Sequence, residues 1–412
     1  MEMTDAQVKL EAAEWPVIDD ELQVGGLPLT RLADRVGRTP FYVYDRTAIA
    51  TRVRMLRRQL PRECMLHYAI KANPMPALIG FMAQQVDGLD VASGGELRVA
   101  LDASMDPAEI SFAGPGKTER ELEQAVESGI LVNVESFREI TLLDGVSQRL
   151  GRPARVAVRV NPDFELKASG MKMGGGPKQF GIDSELVPQA LAEIGKRGLA
   201  FEGFHIYSGS QNLRSEAICD AQNKTLALAE RLAVQAPGPV RVLNIGGGFG
   251  IPYFKGDTPL DLAPVCKNLL VLVERAKLSL PQARLVIELG RYLVGEAGLY
   301  VCRVLDRKIS RGEVFLVTDG GLHHHLAASG NFGQVIRKNY PVMVGNRVRG
   351  AQREVASVVG PLCTPLDVLA DRMDLAQARE GDLIVVFQSG AYGFSASPHG
   401  FLGHPPPLEV LL

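Results

Sequence analysis

The sequence has 412 residues, 46% hydrophobic and 22% charged, the balance of an ordinary globular chain long enough for two or three domains at about 150 residues each. Its net charge is −2, so no basic excess steers it toward a nucleic-acid backbone or an anionic membrane. No stretch approaches the roughly 18 consecutive apolar residues of a membrane span.

The start, Met1-Glu2-Met3-Thr4-Asp5-Ala6-Gln7, lacks the basic residues and apolar run of a secretory signal. Cys64, Cys219, Cys266, Cys302 and Cys363 are odd in number and scattered, which suggests neither a disulfide framework nor a paired-cysteine zinc site. A cytoplasmic location is therefore expected.

The first strand-like run is Pro40–Asp45, placed to return to a later β domain. Eight short apolar, β-branched runs follow: His67–Lys71, Gly88–Ser93, Glu109–Ala113, Ile130–Glu135, Val156–Asn161, Phe201–Tyr207, Val240–Ile245 and Arg284–Leu289. Such runs read as parallel strands buried on both faces. Segments between them, such as Met75–Gln85 and Thr118–Ser128, repeat apolar residues at helical spacing. Eight strand–helix units over roughly 250 residues predict an α/β fold built on a (β/α)8 TIM-type barrel; an open doubly wound sheet is the alternative. After Arg291 the runs Val301–Leu305, Val314–Val317, Val355–Val359 and Leu383–Phe387 alternate between turns, predicting a C-terminal antiparallel β domain. The expected domains are a barrel over 40–290 and a β domain from 1–39 plus 291–412.

A barrel does its chemistry where the strands end, and the unusual residues collect there. Lys71 closes the first run, Asp90 lies in the second, Glu135 ends the fourth, and Arg159 and Asn161 end the fifth. Tyr207-Ser208-Gly209-Ser210, Gly246-Gly247-Gly248 and Glu288-Leu289-Gly290-Arg291 end the last three. A partly desolvated Lys71 amine can form a Schiff base with an aldehyde, or its ammonium can simply snorkel to solvent. The glycine run offers bare backbone N–H groups to an anion, or is a tight turn; with Ile251 where a glycine would be needed, it fails the dinucleotide fingerprint. Glu288 needs a cationic partner, which a protonated pyridine nitrogen or Arg291 would supply. An amine, a phosphate cradle and a buried acid are the three anchors of pyridoxal phosphate.

These motifs, with Gly360-Pro361-Leu362-Cys363 and Gly390-Ala391-Tyr392-Gly393, resemble the pyridoxal-phosphate-dependent decarboxylases of the ornithine, diaminopimelate and arginine group over nearly the whole chain. The resemblance implies an alanine-racemase-like barrel followed by a β domain, and a homodimer with shared active sites. It implies that Lys71 holds pyridoxal 5'-phosphate as an internal aldimine and that Gly247, Gly248, Ser210, Arg291 and Tyr392 surround the phosphate. Glu288 is then the partner of the ring nitrogen, with Asp90, Arg159 and Gly290 in the cofactor-binding set. Cys363 matches a cysteine that reaches the site from the partner subunit and assists protonation at Cα.

Departures from the family pattern bear on the substrate. Tyr207 replaces the imidazole of His-x-Gly-Ser, preserving an aromatic face, and Leu289 replaces a proline. Thr364 stands after Cys363 where members acting on free diamino acids place an acid, and Asp367 is the candidate to compensate. No arginine follows Asp319-Gly320-Gly321 before Arg337; His323, His324 and His325 stand there instead. On a strand only His323 and His325 would share a face, and no Cys or carboxylate pattern completes a metal site. They are expected to form a polar wall of the substrate entrance.

With the segment Ser169–Gly181, these departures are similar to decarboxylases of bacterial exosortase and exopolysaccharide clusters and to the decarboxylase of a carrier-protein-bound glutamyl group in butirosin biosynthesis. Lys172 and Lys178 would meet an acidic acyl carrier protein, or lie in a solvated loop. The expected activity is α-decarboxylation of an L-amino acid or of an amino-acyl group on an acyl carrier protein. Diaminopimelate decarboxylation, racemisation and a non-catalytic regulatory role are the alternatives.

Overall fold

The computed structural model describes residues 15–165, 170–332, 334 and 337–412, with backbone only at Met171 and Lys172. The chain forms two compact units. One comprises Arg52–Ile251 and Thr258–Tyr292, the other Leu293–Leu412, Pro252–Asp257 and the described part of Met1–Thr51.

The first unit is a closed barrel of eight parallel strands: β1 (Cys64–Ala69), β2 (Gly88–Val91), β3 (Ile110–Phe112), β4 (Leu131–Val134), β5 (Arg155–Asn161), β6 (Ala200–His205), β7 (Val242–Gly247) and β8 (Arg284–Leu289). They run in the order β5-β6-β7-β8-β1-β2-β3-β4, and β4 pairs with β5 to close the ring. Helices between strands start where polar caps meet the chain. Ser93, Thr118 and Ser136 each accept a backbone N–H from the residue three positions on, satisfying a donor that the first turn leaves without a partner.

Inside the barrel the two ends of the strands differ. Leu131, Ala157, Val242 and Val286, with Met65 against them, form an apolar cluster near the strand starts. Toward the strand ends, every strand carries a buried polar side chain: His67, Asp90, Ser111, Asn133, Arg159, His205, Asn244 and Glu288. Because parallel strands pair level with level, His67 stands beside Glu288, Asp90 beside Ser111, and His205 between Arg159 and Asn244.

The second unit holds an eight-stranded sheet, and it is mixed rather than purely antiparallel. Gly298–Ser310 is its long central strand, pairing antiparallel with Glu313–Thr318, Leu383–Val386 and Phe41–Tyr44. Glu313–Thr318 pairs parallel with Arg353–Val359, and Phe41–Tyr44 parallel with Leu408–Leu411. The connection from Thr318 to Arg353 is long enough to return the chain to the same end of the sheet, which a hairpin turn cannot do. Phe41–Tyr44 thus belongs to this sheet and not to the barrel. Its core gathers Trp15, Leu22, Leu29, Phe41, Leu299, Val301, Val385 and Phe387.

The histidine triplet is not strand. It follows Gly320-Gly321 in a turn in which the His324 and His325 N–H groups both donate to the Gly321 carbonyl. All three rings are buried, which corrects the expectation of a polar wall. His325 is fixed by the Ser389 hydroxyl (2.9 Å) and the Ala328 N–H (3.2 Å). The His323 ring lies tilted against that of His324 with centroids 3.6 Å apart, and neither of its nitrogens has a hydrogen-bond partner among the described residues. Burial, with His404 and His399 nearby, lowers its pKa to about 4; burial lowers those of His324 and His325 to about 3.

A buried imidazole kept neutral contributes stability that is full above its unfolded pKa of about 6.5 and is lost as pH falls toward the lower folded value. Urea unfolding between pH 4 and 8 should therefore show stability falling below about pH 6.5. His323→Phe should reduce that slope, by up to about 1.4 kcal/mol per pH unit for one proton. An unchanged slope in the variant would contradict the assignment.

Candidate active site

The site is built from the strand ends of the barrel unit. Lys71 does not close β1: the strand stops at Ala69 and a short 3-10 turn, Ile70–Ala72, lifts the lysine out of the sheet. Its side chain is 42% exposed and its Nζ lies 4.0 Å from Glu288 Oε1 and 5.5 Å from the centre of the Tyr207 ring. The expected desolvated lysine is instead an accessible amine beside a buried acid.

Glu288, on β8, is buried. Its Oε2 lies 3.0 Å from His205 Nε2 and accepts a longer hydrogen bond, 3.4 Å, from the Asn244 amide. Burial by itself would raise the carboxyl's pKa; the hydrogen bond and charge of His205, with the charges of Lys71 and Arg159, hold it well below the usual carboxylate range. Sequence reasoning missed His205 and Asn244. Each sits within a largely apolar run, and the parallel pairing of β6, β7 and β8 brings them to Glu288.

The glycine run bends sharply. Gly246 and Gly248 have φ of +71° and +74°, values that favour glycine. A Cβ on Gly246 would sit 2.9 Å from Tyr207 Cδ2, and one on Gly247 would strike the Glu288 carbonyl. The Asn244 side-chain oxygen accepts the Gly246 N–H at 2.8 Å, tying the turn to the residue that also touches Glu288. Ser210 lies on a two-residue strand, Gly209–Ser210, and its buried hydroxyl has no hydrogen-bond partner among the described residues. At the end of β8, a Cβ on Gly290 would sit 2.8 Å from that of Ala72, so glycine permits β8 to approach the lysine turn. Arg291 follows as the first residue of the helix Arg291–Val294.

A second polar chain crosses the barrel through Asp90. His67 Nδ1 lies 3.1 Å from Asp90 Oδ1, Ser111 donates to the same oxygen at 2.6 Å, and Asn133 donates to Ser111 at 3.2 Å. Burial alone would lower the His67 pKa, but the Asp90 carboxylate raises it. Asp90 Oδ2 is buried without a hydrogen-bond partner among the described residues. Arg159 donates to Glu135 Oε1 at 2.7 Å and lies over Phe180. Lys117, buried, donates to Glu139 and to the Gly114 and Asn133 carbonyls; the sequence reading named neither Lys117 nor Glu139.

In the β unit, Cys363 is exposed. Asp367 is buried, and its two oxygens accept the N–H groups of Leu322 (2.6 Å) and Leu362 (2.8 Å). It packs against Gly321 and Gly360, where a Cβ would collide with it. Asp367 therefore ties the Leu322 and Leu362 loops together. Tyr392 has a left-handed backbone, with its ring 6.4 Å from that of Phe332. Ser169 and the Lys172 side chain lie outside the described residues. Among the described residues, no group of three His, Cys, Asp or Glu side chains is arranged to hold a metal ion, and no helix is long and apolar enough to cross a membrane.

An orphaned buried hydroxyl, a turn that side chains would fill, a reachable amine and an ionised buried acid fit a ligand with a phosphate, an aldehyde and a basic ring nitrogen. A family model described as the pyridoxal binding domain of pyridoxal-dependent decarboxylases matches residues 46–295. The chain belongs to this family. It is a pyridoxal-phosphate-dependent carboxy-lyase of the ornithine, diaminopimelate and arginine group.

Among relatives of this decarboxylase, the L-glutamyl-[BtrI acyl-carrier protein] decarboxylase of Niallia circulans is 39% identical, covering 93% of this chain and 90% of the relative. The diaminopimelate decarboxylase of Aquifex aeolicus is 34% identical, covering 96% and 91%. The crystal structure of diaminopimelate decarboxylase from M. jannaschii in complex with L-lysine superposes with a TM-score of 0.85 at 26% identity, covering 97% and 92%.

The decarboxylase should tolerate no side chain at Gly246. In Gly246→Ala the left-handed backbone costs about 1–2 kcal/mol, and the methyl group meets Tyr207. Cofactor titration of the apoprotein should show affinity lower by about 10-fold or more; unchanged affinity would contradict the cradle assignment.

Proposed function

We propose that the enzyme removes the α-carboxylate of an amino-acyl group carried on an acyl carrier protein. The observation that carries this reading is the state of the residues after Cys363. Thr364 replaces the acid that would pair a distal ammonium, and each oxygen of the buried Asp367 already accepts a backbone N–H group. A free diamino acid would then present a charge without a partner, which costs several kcal/mol in a closed site. A tethered acyl group carries no such charge at the attachment point. The 39% identity to a decarboxylase of a carrier-bound glutamyl group supports the same choice.

Pyridoxal phosphate supplies the electron sink that accepts the pair left behind when CO2 departs. Lys71 is the amine that would hold the cofactor's aldehyde, and its exposure makes it accessible to a substrate amine. Glu288 would keep a proton on the ring nitrogen, since an ionised acid in a buried setting favours a cation beside it. The Gly246–Gly248 turn, Ser210, Arg291 and Tyr392 would receive the phosphate, and Gly290 gives the β8 end its close approach to the lysine turn. Tyr207 would cover the ring with its aromatic face. Asp90, through its free Oδ2, and Arg159, oriented by Glu135, complete the cofactor-facing set.

Cys363, exposed in the single chain, would donate the proton to Cα from the partner subunit of a homodimer. Its exposure here supports a role at a surface completed by a second copy. Five cysteines without disulfides support a reducing, cytoplasmic setting.

Two measurements check this reading. Lys71→Ala should lose the visible absorbance of lysine-bound cofactor; persistence of that band would refute the lysine assignment. In a CO2-release assay, an amino-acyl carrier-protein thioester should turn over at least about 10-fold faster than meso-diaminopimelate, the ratio that about 1.4 kcal/mol of discrimination produces. Lysine formed from diaminopimelate at the higher rate would assign the enzyme to diaminopimelate decarboxylation instead.

A further inference from the structure

We propose that His205 is a positioning residue of the decarboxylation: it immobilises one oxygen of Glu288 so that the other faces the lysine and the cofactor ring nitrogen. The inference rests on the assignment of Glu288 proposed above. Three observations carry it.

First, His205 ends β6, with only 3% of its side chain exposed, and its Nε2 lies 3.0 Å from Glu288 Oε2 while its Nδ1 has no hydrogen-bond partner among the described residues. The ring therefore contributes a single polar contact, made to Glu288. Second, register pairing sets His205 level with Asn244, whose amide touches the same Oε2 at 3.4 Å. Both contacts fall on one oxygen, leaving Oε1 4.0 Å from Lys71 Nζ. Third, Asn244 also accepts the Gly246 N–H at 2.8 Å. The carboxylate that would meet the ring nitrogen and the turn that would meet the phosphate are thus held by one hydrogen-bonded unit.

A carboxylate that lost its His205 contact would be free to rotate about its terminal torsion, which is broad and roughly two-fold. A hydrogen bond to a charged group is also among the stronger ones. His205 touches neither substrate nor cofactor in this account, so it acts only through Glu288.

The test compares His205→Leu, His205→Gln and Glu288→Gln holoenzymes and their apoproteins. His205→Leu should lower kcat about 10- to 100-fold with KM changed less than about threefold, and should weaken pyridoxal phosphate binding to the apoprotein by about 10-fold. His205→Gln, which keeps an N–H donor, should recover most of both losses. If the leucine variant does not fold, His205→Asn, too short to reach Oε2, should show the same two losses. Wild-type kcat and cofactor affinity in His205→Leu, or equal losses in His205→Leu and His205→Gln that track a lowered Tm, would overturn the proposal. If Glu288→Gln also keeps wild-type kcat and affinity, the Glu288 assignment falls with it; impairment in Glu288→Gln alone overturns only the role of His205.

Discussion

The structure of the site depends on keeping one carboxylate charged inside a barrel. Glu288 is buried, and burial by itself favours the neutral acid. What reverses that preference is the local surrounding: an imidazole at 3.0 Å, the ammonium of Lys71 at 4.0 Å and the charge of Arg159. Each comes from a different strand or strand end. Pairing β6, β7, β8 and β1 side by side is therefore what assembles the charged site.

The same constraint accounts for the distribution of polarity within the barrel. Apolar side chains gather near the strand starts, so the polar level near the strand ends faces a dry floor. A buried polar group without partners is costly, and the barrel meets that cost by linking neighbours across strands: His67 to Asp90 to Ser111 to Asn133, and His205 to Glu288 to Asn244. Of the buried polar atoms that have no hydrogen-bond partner among the described residues, Ser210 Oγ and Asp90 Oδ2 are the two proposed to meet the cofactor. Glycine at 246, 247 and 290 serves the same end by letting backbone approach backbone beside them.

Much of this was legible in the sequence, for a physical reason. Doubly buried parallel strands must be nearly continuous apolar runs, so all eight were visible, and strand-end residues such as Lys71, Glu288 and the glycine run stood out against them. His67, Ser111, Asn133 and His205 were not visible as a group, because each is one polar residue in a different strand and only closure makes them neighbours. The histidine triplet misled because alternation presumes a strand, whereas Gly320-Gly321 turns the chain and buries all three rings. Asp367 was named on spacing alone; what spacing could not show is that its carboxylate clasps the Leu322 and Leu362 loops. The sheet of the second unit was expected to be antiparallel, since alternating runs reveal a half-buried strand but not its direction.

The central claim is that the barrel presents an ionised Glu288 to the cofactor ring. Nitrogen-15 NMR of the holoenzyme reconstituted with pyridoxal phosphate labelled at the ring nitrogen tests it most directly. The account predicts a protonated ring nitrogen at neutral pH in the wild type and an unprotonated one in Glu288→Gln. An unprotonated nitrogen in the wild type, or a protonated one that does not respond to Glu288→Gln, would contradict it.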